Sequence, residues 1–448
     1  MKACADAKLQ FMKALTDVIM RGSITTTVDA TLQVGTLSKT VIVEASAAQV
    51  IDTQSGQLGE SFGKEEVENL PYASFNPAEL ALTLPGVQDI PVGGSATQGF
   101  TNGFGYSVNG TRPRSNNFLI DGQDDNDYSI SGQAFQPSNV GAIQEFTILT
   151  NSYNAEYGRG GGSVGNYIYK SGTNGLHAQA WEIANNSAFQ ADPAQNKIND
   201  VARPLFVENT FGFDIGGAAI KDKLFFFASI QWDRTRQRGT GPSQQFLPTA
   251  DGITTLESLL PNPNVQLLLD SFGGLVAAEN PDGSGKIQGN CVGLGNGRPC
   301  VNTGLFQLSG VPEAGNDRQQ YYRADWHLGP NDVLTGAYIR DDSSLTPDFF
   351  ANPINLPQFE TLQGGPSQLF RGQWTHIFSS RMVNELRFSY TNIDFAFSQT
   401  AATLAGPLAN IPEIDFGADV GFPSLGVPAG FPQGRGHKTT QAQGRSLL

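Results

Sequence analysis

Two neighbouring segments hold most of the charge chemistry this sequence offers. NGTRPRSNN sets Arg112 and Arg114 close to Asn116, and DGQDDND follows with Asp121, Asp124, Asp125 and Asp127. Carboxylates clustered this way could ligate calcium through hard oxygen atoms. The run lacks the full EF-hand spacing and the bidentate glutamate that closes such a loop, so it reads as a solvated polar loop and no metal is assigned. GGGSVG (Gly160–Gly165) satisfies G-x-G-x-x-G, but a dinucleotide site needs strand, glycines and helix in that order. Here a strand pattern, NYIYKSG, follows the glycines, which argues against phosphate binding. The histidines (His177, His327, His376, His437) are scattered without zinc-ligand spacing. Cys291 and Cys300 bracket the Gly-rich CVGLGNGRPC. In an oxidising compartment they are a disulfide candidate, adding at most about 3 kcal/mol; the alternative is two unpaired thiols in a flexible loop. No G-x-S-x-G elbow, H-E-x-x-H pair or P-loop is present, and Glu65–Glu66 belong to a helix face, so neither an enzyme nor a cofactor is expected.

The composition limits the scaffold that can hold these groups. The chain has 448 residues, with 52 Gly and 29 Phe but only 16% charged residues, a mixture suited to many strands, tight turns and aromatic residues placed at an interface. Its formal net charge of -14 gives nucleic-acid binding no electrostatic support. No run approaches the roughly 20 apolar residues a spanning helix needs, although barrel strands give a far weaker signal. Residues 1–20 read as a short amphipathic helix. Lys8, Lys13 and Asp17 interrupt what would be the apolar core of a signal peptide, so the expectation is an export signal missing from this chain.

Along the chain, TTTVDATLQV and SKTVIVEAS predict two strands around Gly35, followed by a polar linker. KEEVENLP and FNPAELALTLPGV predict two helices, the second capped by Asn76, started by Pro77 and stopped by Pro85-Gly86. Short strands at YSVNG, NNFLIDG and IQEFTILT complete a small α+β unit ending near residue 175. The pattern then changes to period-2 alternation, which gives each strand one apolar and one polar face. In VENTFGFDIGG, for example, Val207, Phe211, Phe213 and Ile215 oppose Glu208, Thr210 and Asp214. A soluble β-sandwich alternates in the same way, so periodicity alone does not decide. The connections favour a barrel. KDK, GPND and SSR join strand pairs 207–219/223–236, 317–328/332–342 and 367–378/381–397, while long segments near 186–206, 237–316 and 343–366 separate them. Trp181, Trp232, Trp326 and Trp374 all fall in these strands, as an aromatic girdle requires.

VENLPYASFNPAELALTLPGV, YSVNGTRPRSNNFLIDGQDDND and VGAIQEFTILTNSYNAEYGRGGGSVGNYIYKSGTNGLHAQAWE resemble, in order, the plug of Oar-like TonB-dependent outer-membrane receptors. ENTFGFDIGGAAIKDKLFFFASIQ resembles the second and third barrel strands of that family, and FPQGRGH a segment inside its barrel. The resemblance implies a barrel of about 22 strands closed by a plug. It also implies uptake of an oligosaccharide, peptide or metal chelate with energy from the TonB complex, in contact with outer-membrane lipid. The fold class is therefore mainly β, with a small α+β plug and a partial, open transmembrane β-barrel of antiparallel strands. The expected domains are 1–46 (the end of an upstream carboxypeptidase-regulatory-like β-sandwich with a possible TonB box), 47–175 (plug) and 176–448 (about seven barrel strands with long extracellular loops). HKTTQAQGRSLL, after Gly436, loses strand patterning and reads as an interrupted end, so the chain is expected to be truncated at both ends.

The resemblance also assigns sites. Thr40, Val41, Ile42 and Val43, within KTVIVEA, resemble the TonB box that a partner captures by adding a strand; the alternative is the last strand of the upstream domain. Arg112, Arg114, Asn116, Asp121, Asp124, Asp125 and Asp127 would lie on ligand-facing plug loops. Tyr157 and Arg159 would lie where plug meets barrel wall. The alternative function is a surface adhesion or ligand-binding protein that does not transport.

Overall fold

The computed structural model describes residues 56–71, 76–90, 105–126, 135–158, 160–192, 205–240, 309–346 and 361–405 almost continuously, with shorter pieces at 14–16, 42–44, 245–248, 250–259, 292–293, 300–301, 303–306 and 436–447 and a few others. The chain divides into two compact units, one of Met1–Val92 with Phe104–Lys170 and one of Gly93–Gly103 with Ser171–Leu448.

In the first unit, Ala14–Thr16 (β1) pairs in parallel with Ile42–Glu44 (β2). Residues 14–16 thus form a strand where an amphipathic helix was expected. Leu58–Gly63 (β3) leads into the helix Lys64–Asn69, whose Glu66 carboxylate accepts from the Gly63 N–H at 2.8 Å. The segment expected as a second helix is a 3-10 helix, Pro77–Thr83. Its cap is the one expected: Asn76 Oδ1 accepts from the Ala78 N–H at 3.0 Å and Pro77 opens the first turn. Leu84 is extended ahead of Pro85, which ends the helix.

Val87–Asp89 (β4) pairs with Tyr106–Val108 (β5). Asn117–Ile120 (β6) and Gln123–Asp124 (β7) form a hairpin around Asp121-Gly122, whose φ values of 48° and 71° require the left-handed region that an Asp-Gly turn supplies. With Ile143–Asn151 (β8) and Val164–Tyr169 (β9) they build a five-stranded sheet of order β3-β8-β9-β6-β7, mixed because β6 runs parallel to β9. Phe146 lies at its centre, 4.8 Å from the Tyr167 ring and 6.4 Å from Phe62. The glycines of GGGSVG lead into β9, and there they allow close approach. A Cβ on Gly160 would sit 2.5 Å from the Ser115 carbonyl, and one on Gly162 would sit 2.4 Å from Asn116 Oδ1.

The second unit is built on His177–Asn186 (β10), Phe206–Ile220 (β11) and Leu224–Thr240 (β12). An excursion follows that the sequence reading treated as loop. Within it, Gln245–Pro248 (β13) pairs with Thr303–Phe306 (β16), and Val292–Gly293 (β14) pairs with Cys300–Val301 (β15). A helix, Ala250–Leu259, buries Ile253 and Leu256, and Val301 is buried as well. The apolar spacing of Ile253, Leu256 and Leu260 is the signal that could have revealed it. The main sheet continues through Ser309–His327 (β17), Asp332–Thr346 (β18), Thr361–Ser379 (β19), Met382–Gln399 (β20) and Gly436–Leu447 (β21).

All eight strands of the main sheet are antiparallel neighbours in chain order. The seven expected strands are there, and an eighth corrects the reading of the tail. Gly436–Leu447 pairs with β20 from Ala396↔Gly436 to Glu385↔Leu447, because backbone hydrogen bonding to a neighbouring strand does not require apolar alternation. β17 likewise begins at Ser309 rather than 317, carrying Pro312 opposite Arg238.

Candidate functional site

The polar segments of the first unit converge through hydrogen bonds. Arg112 and Arg114 flank Pro113 on a 3-10 turn and are exposed, with the Arg112 carbonyl accepting from the Ser115 N–H at 2.8 Å. Asn116, on the same loop, is buried. Its Nδ2 donates to the Tyr106 carbonyl at 2.8 Å, and its Oδ1 accepts from Ser163 at 3.0 Å. The acidic run is not a uniformly solvated loop. Asp121 Oδ1 accepts from the Tyr169 N–H at 3.1 Å, and Asp124 Oδ1 accepts from the backbone and side chain of Asn126 at 2.8 and 3.0 Å. Asp125 is only 1% exposed, because its Oδ1 accepts from the Phe135 N–H at 3.2 Å and its own N–H donates to Phe118. A carboxylate committed to a buried backbone donor braces the loop, so the expectation that Asp125 faces outward is corrected. Asp125→Ala should cost about 1–3 kcal/mol by leaving that donor unsatisfied. Urea unfolding of the full chain, compared with Arg112→Ala as an exposed control, measures the difference.

Asn76, Gln133 and Tyr167 extend this network. The Tyr167 hydroxyl donates to Asn76 Oδ1 at 2.9 Å and lies 3.4 Å from Gln133 Oε1. Burial pushes the phenols of Tyr167 and Tyr106 well above the usual tyrosine range, so both stay protonated donors. Sequence reading missed Asn126 and Gln133, since isolated amides carry no spacing signature. Tyr157 packs against the Leu119, Leu149 and Val164 cluster. Thr40, Val41, Asp127, Arg159 and Cys291 lie outside the described residues. Ile42 and Val43 belong to β2, and Cys300 opens β15 opposite Gly293.

The second unit's main sheet inverts the burial of a soluble protein. On one face Phe213, Tyr322, Trp326, Leu334, Phe370, Trp374 and Phe388 are exposed; on the other Asp214, Gln231, Asp341, Arg371 and Thr391 are buried. Register turns the exposed face into ladders. Tyr322, Tyr338, Phe370 and Tyr390 are direct cross-strand neighbours, as are Trp326, Leu334, Trp374 and Leu386. Trp232 stacks on Phe211 at 5.5 Å, eight residues along β12 from Leu224, which pairs with Trp326. That separation is roughly 26 Å along the strand, or about 20 Å along the membrane normal at a tilt of about 40°, which fits within an apolar band about 25 Å tall. Trp181 departs from the girdle expectation. Its register partner Gly212 belongs to the polar face, and its ring covers that glycine so closely that an added Cβ would lie 2.6 Å from Trp181 Cζ2.

Apolar side chains outside, polar side chains within, short turns at 221–223, 328–331 and 380–381 and long connections at the other end form the pattern of an outer-membrane sheet. Residues 168–446 match the family described as an outer membrane beta barrel domain, and residues 55–164 match the TonB-dependent receptor plug domain. The chain belongs to the TonB-dependent receptors. These are non-enzymatic proteins of the bacterial outer membrane. The receptor is 26% identical over 304 residues to the TonB-dependent transporter Oar of Myxococcus xanthus, a match covering 61% of this chain and 26% of that protein. It thus spans about a quarter of the length of that curated relative. Among solved structures it is similar in fold to the outer membrane transporter YddB of Escherichia coli, with a TM-score of 0.52, 14% identity, and coverage of 86% of this chain and 44% of that one. The siderophore receptor PirA of Acinetobacter baumannii aligns with a TM-score of 0.46 at 16% identity, over 87% of this chain and 44% of that one.

Proposed function

We propose that the receptor serves energised uptake of an extracellular oligosaccharide, peptide or metal chelate, with the TonB complex as its partner. The observation that carries this reading is the joining, in one chain, of a plug fold to a sheet whose apolar face is exposed. Ligand contact on the plug is assigned to Arg112 and Arg114, whose exposed guanidinium groups suit carboxylate or hydroxyl oxygens. Asp121, Asp124 and Asp127, on the acidic run that follows, are the further ligand-facing candidates.

The segment around Ile42 and Val43 is the proposed TonB-binding strand. Its pairing with β1 supports a backbone ready for strand addition, so an incoming partner would compete with residues 14–16. Deleting residues 39–45 should weaken binding of the periplasmic domain of TonB at least tenfold, about 1.4 kcal/mol, in a titration with the full chain. Unchanged binding would return the segment to an upstream domain. Substrate-dependent accumulation in cells, abolished when the proton-motive force is collapsed, tests the transport reading. Binding without accumulation would support the adhesion or ligand-binding alternative.

A further inference from the structure

Beyond the aromatic residues, on the side of the long connections, the apolar face of the sheet changes character over three adjacent strands. On β12 Trp232 is followed on the same face by Arg234 and Arg236. On β17 Tyr322 is followed by Gln320, Arg318 and Asn316. On β18 Tyr338 is followed by Arg340 and Asp342. Among the described side chains of this face, four arginines therefore stand against one carboxylate, in a chain whose net charge is -14.

Register aligns them with the membrane boundary. Trp232 is level with Arg318, which is level with Asp342, whereas Ala228 is level with Tyr322 and Tyr338. The last aromatic residue thus lies four residues lower on β17 and β18 than on β12, as tilted strands require. Arg234, Arg318 and Arg340 descend across the strands in the same direction, so they keep to a common depth just past the aromatic edge.

Their geometry is fixed in advance. Asp342 accepts from Arg318 Nη2 at 2.5 Å and from Arg340 Nη2 and Nε at 2.6 and 2.9 Å, which holds two guanidinium groups side by side. Arg236 donates to the Gly315 carbonyl at 2.8 Å and to Asn316 Oδ1 at 2.9 Å. Arg234, Arg236 and Arg318 are exposed. Planar guanidinium groups held at headgroup depth suit tetrahedral phosphate oxygens, and their Coulomb attraction is less screened beside lipid than in bulk water.

We propose that this ledge binds the phosphate groups of outer-leaflet lipid headgroups. The inference rests on the outer-membrane location of the sheet and is independent of which solute is taken up. The test titrates the full chain in non-ionic detergent with three probes: lipid A bearing both phosphates, the same lipid enzymatically dephosphorylated, and inorganic phosphate. The unmodified chain should prefer the phosphorylated lipid at least tenfold, and the preference should fall as salt is raised. R234Q/R318Q/R340Q should lose roughly a hundredfold in affinity, as three headgroup-level arginines predict. Equal binding to phosphorylated and dephosphorylated lipid would overturn the proposal, as would full retention by a folded triple variant. Competition by inorganic phosphate at concentrations matching the lipid would overturn the lipid assignment. If the triple variant does not fold, the phosphate preference and salt dependence of the unmodified chain decide the question. A negative result would leave TonB binding and solute uptake untouched, which separates it from a failure of the transport reading.

Discussion

Phe146→Ala should destabilise the plug by about 3–5 kcal/mol, a large share of the 5–15 kcal/mol that separates a folded domain from its unfolded chain. Phe146 is fully buried, lies in the second strand of the five-stranded sheet and touches both Tyr167 and Phe62. The lost area and the cavity both contribute, and the aromatic pairing adds about 0.5–1.5 kcal/mol. Gly165 offers no side chain to fill the gap; a Cβ there would lie 3.3 Å from the Phe146 ring, so this glycine is where the ring rests. All four tryptophans belong to the second unit, so their fluorescence would not register the loss. Hydrogen exchange at β8 and β9 in the full chain would. Protection that survives the substitution would mean that Phe146 is not the keystone of this sheet.

Gly372→Arg should cost about 2–4 kcal/mol when the receptor is folded in lipid, whereas Gly372→Leu should be neutral or stabilising. Gly372 lies between Phe370 and Trp374 on the apolar face, level with Gly336 and Phe388, and nothing lies within 4 Å of a Cβ placed there. No steric term therefore enters, and the solvent on that face sets the sign. In water, either substitution would relieve a strand glycine and the two would behave alike. In hydrocarbon, only the arginine carries a desolvation cost. Urea midpoints in phosphatidylcholine vesicles distinguish these cases: a tolerated arginine would mean that the exposed face does not meet lipid.

The arrangement of charge on the plug explains why the acidic run misled. DGQDDND reads as a loop because four carboxylates in seven residues look solvated. The fold uses them one at a time: Asp121 and Gly122 turn a hairpin, Asp124 holds Asn126, and Asp125 turns inward to a backbone donor ten residues away. Composition cannot report such a partner, since the Phe135 N–H becomes an unmet donor only once the chain folds back. Arg112 and Arg114, on the stretch just before the acidic run, are exposed on a short 3-10 turn.

Alternation alone determined the long strands of the main sheet between Phe206 and Gln399, apart from the first residues of β17, and their two faces, because side-chain period two is a local property of extended backbone; the short pairs β13–β16 were not legible in it. The alternation of short turns with long connections determined which kind of sheet they make. Linked motifs determined the family, and the Asn76-Pro77 cap was legible because capping acts within one turn. Tertiary structure decided what depends on a neighbouring strand. Trp181 belongs to the polar face because it pairs with Gly212, and Gly436–Leu447 is a strand because β20 supplies its hydrogen bonds. Arg234, Arg318 and Arg340 form one ledge only through register, which brings together residues up to 106 positions apart in the chain. Local periodicity says which way each side chain points, but which residues meet across strands depends on the pairing, and the pairing exists only in the folded sheet.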